Sequence, residues 1–110
     1  AKQKQPTPSP AVAAAQAEQS IIAVASLIAA DRRKLLQSPK ASPASYRLFE
    51  LLPMMPRFNV ERVRQQLDTT FPTANAAVQV LEALGVVVEV TGQKKNRSYS
   101  YEGYVELLTR

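Results

Sequence analysis

Neither cysteine nor histidine occurs in this chain of 110 residues. Disulfides are therefore excluded, and so are metal sites built on thiolate or imidazole ligands. Catalysis through a thiolate nucleophile or an imidazole base is excluded as well. The three glycines are too few for a phosphate-cradling loop. No run approaches the roughly 18 apolar residues of a spanning helix, so no membrane partner is expected. Alanines follow the opening AKQKQPTPSP, but Gln16, Glu18 and Gln19 interrupt them too early for a signal peptide. The chain begins without Met and reads as an excised piece, with Ala1 as a tag remnant. One further absence is local. The stretch from Thr70 to Gly85, TFPTANAAVQVLEALG, contains no Lys or Arg.

What is present suits one small folded domain with an appendage: 45% hydrophobic and 21% charged residues. Fourteen basic against nine acidic residues leave a net charge of +5, which permits a nucleic-acid partner without demanding one. Residues 1–10 hold three of the eight prolines and are expected to form a disordered tail. Ser9 and Pro10 offer a cap and a first turn. From Ala11 to Gln37 there is neither Pro nor Gly, which predicts one long helix. Ile21, Val24, Ile28 and Leu35 fall on one face of it. SPKASP at 38–43 breaks the helix, so residues 11–42 read as a connecting helix with its linker.

Residues 43–110 read as the domain proper. Ser42 and Pro43 start a helix that ends near Leu52, before Pro53 and Pro56. Asn59 caps a second, Val60 to Leu67. Thr70 caps a third, with Pro72 tolerated in its first turn. Phe71, Val78 and Leu81 are expected in the core, and Gly85 as a left-handed stop. Two helices across a tight turn make a helix-turn-helix. Val86–Val90 then reads as a strand, TGQKKNR at 91–97 as a polar loop, and Ser98–Tyr101 as a second strand. A final helix, Glu102 to Thr109, turns Tyr104, Leu107 and Leu108 inward. The expected fold is mostly α with a small β hairpin: a winged helix-turn-helix preceded by a long helix.

FPTAN at 71–75, LEALG at 81–85, EVTG at 89–92 and NR at 96–97, with Tyr99, Tyr101 and Tyr104 after them, carry a resemblance. Over residues 44–109 the chain resembles the C-terminal winged helix of bacterial Fic ("filamentation induced by cyclic AMP") proteins. The resemblance implies a cytoplasmic parent with an upstream catalytic domain that transfers AMP from ATP to protein hydroxyls. The signature of that domain, HPFxxGNGR, is missing from this chain. ATP is thus implied only for the absent domain, and no cofactor is expected here. Residues 11–37 would link or dock the two domains. Alone, their apolar stripe must cover the winged helix, pair with a second copy as a homodimer, or fray.

Double-stranded DNA is one expected partner. Thr73, Asn75, Ala76 and Gln79 face outward on the third helix, where Asn and Gln can each pair with adenine. Lys94, Lys95 and Arg97 in the loop, with Arg62 and Arg64 on the preceding helix, supply charge for phosphates. Equally, a neutral helix slimmed by Ala74, Ala76, Ala77 and Ala83 suits protein packing, so a protein-interaction module stays open. A free-standing transcriptional regulator is a third reading. Glu50, Glu61 and Asp68 have no companion groups that would make the fragment an enzyme.

Overall fold

The computed structural model describes residues 10–109, with side chains from residue 19 onward. The expected tail at 1–10 lies outside the described residues except for Pro10. Among the described residues, the chain forms five helices and a three-stranded antiparallel sheet. No helix among them is long and apolar enough to cross a membrane.

Helix α1 spans Pro10–Leu36, as the uninterrupted alanine-rich run predicts. Its C-terminal half is part of the main core. Leu35 is fully buried, and Leu27 and Ile28 pack against the same cluster as Leu48, Phe49, Val63, Val78 and Leu81. The expected stripe does not hold along its whole length. Ile21 and Ile22 are exposed, because the core formed by the other described elements does not extend far enough along the helix to cover them.

Helix α2, Pro43–Leu51, starts from a reciprocal cap. The Ser42 Oγ accepts from the Ser45 N–H, and the Ser45 Oγ accepts from the Ser42 N–H at 2.7 Å. Helix α3, Val60–Leu67, is capped by Asn59 and ends at Asp68 in the left-handed region. The Arg47 guanidinium donates to the Leu67 carbonyl at 3.0 Å, tying α2 to the end of α3. Helix α4, Phe71–Ala83, takes Thr70 as its cap and stops at Gly85, whose φ of 77° favours a residue without Cβ. Ala74, Ala77, Val78 and Leu81 are its buried face.

Strand β1, Arg57–Asn59, is not expected from the sequence. Three residues between Pro56 and a helix cap are too short to show alternation. They become a strand because β3, Ser98–Ser100, offers a partner: Phe58 lies opposite Tyr99, and their rings stack at 5.9 Å. Strand β2 is only Val88–Glu89, on the other side of β3, so the order is β1-β3-β2. Val86 and Val87, expected within it, are instead buried in the turn leaving α4.

Helix α5, Glu102–Leu108, lies against α1. Gly103 permits the approach: a Cβ there would meet both Leu27 methyls at 3.3 Å. The Tyr101 hydroxyl donates to the Asp31 carboxylate at 2.7 Å, and both residues are buried. Burial, then the bond to Asp31, pushes the Tyr101 phenol well above its ordinary pKa, so it remains a donor. Lys34 stands 3.4 Å from the other Asp31 oxygen. Leu108, expected inward, is exposed. It borders an open apolar groove with Ser20, Ile21, Val24 and Ala25, where both helices run past the core.

The α1–body junction gives a stability prediction. Asp31→Ala strands a buried phenol and should cost about 1–3 kcal/mol. Leu35→Ala opens a core cavity and should cost about 2–5 kcal/mol. Urea midpoints at constant m-value measure both.

Candidate nucleic-acid interface

The outward face of α4 carries no basic side chain, so any charge beside it must come from elsewhere in the fold. The chain brings it from the β2–β3 loop. That loop closes an open cleft of about 570 Å³ against the start of α3 and the first two turns of α4. Phe71, Asn75 and Gln79, spaced by four, line one wall, and Lys94, Lys95 and Arg97 line the other. Five of the eight polar and charged side chains singled out from the sequence therefore converge. They come from segments some twenty residues apart.

The other three do not line the cleft. Thr73 is exposed, but its hydroxyl accepts from Thr70 at 3.0 Å and so belongs to the helix cap. Arg62 is exposed and has no ion-pair partner among the described residues. Arg64 grips Glu61 with two bonds, at 2.9 and 2.5 Å. That hydrogen bonding, reinforced by the charge on Arg64, holds the Glu61 carboxyl below its ordinary range. Glu61 itself borders the cleft, and Arg64 offsets the one carboxylate that would repel an anion there.

The loop has an anchor of its own. The Glu89 carboxylate accepts from the Thr91 hydroxyl, from the Thr91 N–H at 2.7 Å and from the Gly92 N–H at 2.9 Å. These bonds, the Thr91 hydroxyl first, lower the Glu89 pKa, and Arg97 adds to the effect. Arg97 in turn donates to the Gln93 carbonyl at 2.5 Å, which closes the loop across its base. Gly92 and Asn96 both take positive φ, 70° and 56°, within it. Lys94 and Lys95 are exposed and without a carboxylate partner among the described residues.

Sequence reasoning places Phe71 in the core, and the structure corrects this. Phe71 is 52% exposed and forms part of the cleft wall. It is the first residue of α4, and helical side chains lean toward the N-terminus. With no earlier turn to lean on, the ring extends past the helix toward the loop. Its place directly after a cap and before Pro72 was the available signal. Tyr99 is the other contributor that spacing alone does not reveal. Its buried ring brings the hydroxyl to 3.4 Å from the Gln79 amide.

Glu50, Glu61 and Asp68 are spoken for: Glu50 pairs with Arg32 at 2.6 Å, Glu61 with Arg64, and Asp68 closes α3. No group of three or more acidic residues that could hold a metal ion occurs among the described residues. No protein-family model matches this chain, and no curated protein matches it.

The Glu89 anchor has a pH signature. Its folded pKa is depressed, so its hold on the loop is complete above the ordinary carboxylate value of 4.5 and is lost as pH falls through the lowered value. The Thr91 and Gly92 amide resonances should therefore stay fixed from neutral pH to that value and move only below it. In Glu89→Gln they should lie displaced at neutral pH and show no such titration.

Proposed function

We propose that this chain is a winged helix-turn-helix module that binds duplex DNA, with α3 and α4 as the helix pair and the β2–β3 loop as the wing. The observation that carries this reading is the shared cleft: a neutral, amide-bearing helix face opposite a loop with three cations. A helix face bearing amides suits base edges, and an exposed basic loop suits phosphates. The division of labour also explains why α4 needs no Lys or Arg. The Fic resemblance supplies the context. The module would accompany an AMP-transferring domain on a longer chain, with α1 as the connection. A cytoplasmic setting belongs to the same proposal.

Binding should be weak and salt-dependent. Of the five candidate cations, Arg62, Lys94, Lys95 and Arg97 have no carboxylate partner among the described residues, and neutralising four phosphates corresponds to a salt slope of about 3.6. Fluorescence anisotropy on a mixed-sequence 20-bp duplex, titrated from low to physiological salt, measures it. Replacing Lys94, Lys95 and Arg97 together with Ala should reduce the slope by about 2.7. Absence of binding at low salt by the folded protein would overturn the reading.

The exposed Ile21 and Ile22, beside the groove at Leu108, favour a second property: association of two copies through the middle of α1. Light scattering should then give a mass above the monomer, and Ile21→Gln with Ile22→Gln should return the monomer. Neither residue is in the core, so the change leaves the fold intact.

A further inference from the structure

The chemistry of the α4 face is one-sided. Guanine is read in the major groove by Arg or Lys, cytosine by a carboxylate, adenine by a carboxamide, and the thymine methyl by apolar contact. Phe71, Asn75 and Gln79 on the cleft wall, with the exposed Ala76 beside them, bring two carboxamides, an exposed aromatic ring and a methyl group, but no guanidinium or ammonium. Glu82, the single acidic residue of the helix, does not line the cleft.

We infer that the module is selective for A·T base pairs, with Asn75 and Gln79 reading adenine edges and Phe71 contacting thymine methyls from the major groove. This rests on the duplex-binding reading above. The geometry is favourable in three respects. Phe71, Asn75 and Gln79 form a single row, and at about 1.5 Å per residue they span roughly 12 Å of helix. That is about three to four base steps at ~3.4 Å each. Gln79 is also pre-oriented. Its amide nitrogen bonds the Tyr99 hydroxyl at 3.4 Å. A carboxamide has a second N–H for adenine N7 and an oxygen for the adenine amino group, so the Tyr99 bond aims the group without using it up. The ring of Phe71 is already out of the core, so contact with a methyl needs no rearrangement.

The test uses the full chain and three 20-bp duplexes of matched length: one A·T-rich, one G·C-rich, and the A·T-rich sequence with every thymine replaced by uracil. Uracil keeps pairing and removes only the major-groove methyl. Anisotropy at one fixed low salt should show the A·T duplex bound about tenfold more tightly than the G·C duplex. Uracil should weaken binding by about three- to fourfold per methyl contacted. Phe71→Ala should abolish the difference between thymine and uracil while leaving the salt slope unchanged. Because the uracil comparison changes only the DNA, it stands whether or not that variant folds.

Equal affinity for all three duplexes, with the wing-dependent salt slope intact, would overturn base selectivity and leave duplex binding standing. An A·T preference that survives the uracil replacement and Asn75→Ala with Gln79→Ala would place readout in duplex shape, and would likewise overturn it. Absence of binding to every duplex would remove both readings.

Discussion

The hydrogen bond from the Tyr101 hydroxyl to Asp31 joins the last turns of α1 to the residue before α5. It forms across seventy residues, in the interior, between a phenol that stays protonated and a carboxylate with little water around it. A buried carboxylate is costly unless it is paired, and here Tyr101 and Lys34 share it. Once α1 is held at Asp31, Leu35 enters the core and α5 can lie on Leu27, where Gly103 leaves room. Tyr101 also stacks on Tyr104 at 5.6 Å, which fixes the start of α5. The long helix is therefore continuous with the body over its last turns, and its first described side chains meet only the groove bordered by Leu108.

Two tyrosines, two residues apart, divide the molecule. Tyr101 serves the junction with α1, while Tyr99 serves the cleft by stacking on Phe58 and bonding Gln79. Tyr99 lies in the central strand β3, and Tyr101 follows its end as the residue before α5. The proposed binding surface has its aromatic support two residues before the tyrosine that anchors the connection.

Much of this was legible before the structure. Ser42, Asn59 and Thr70 cap the helices they were expected to cap, and Gly85 ends α4 as its position implies. Those signals are local: a cap depends on three or four neighbouring residues. Strand β1 was not legible, because its formation depends on Ser98–Ser100, some forty residues on. Ile21 and Leu108 follow their helical periods faithfully, yet periodicity reports only which face is apolar and not how far a partner extends. Within the site, Asn75 and Gln79 could be read from spacing, and the basic loop from composition. Their convergence could not. Phe71 was misplaced because apolar residues are ordinarily core, and a first-turn position is where that rule is weakest.

Strand β2 leaves one edge of the sheet uncovered, with Val88 and Val90 both exposed along it. Such an edge invites a foreign strand, since its amides and carbonyls can continue the ladder. Glu89 denies that invitation. Its side chain occupies the amides of Thr91 and Gly92, so the ladder cannot be extended past Val90 without first displacing a carboxylate. The loop anchor is thus also a gatekeeper against aggregation. A protonated Glu89 would hold the Thr91 and Gly92 amides more weakly, beside two exposed valines.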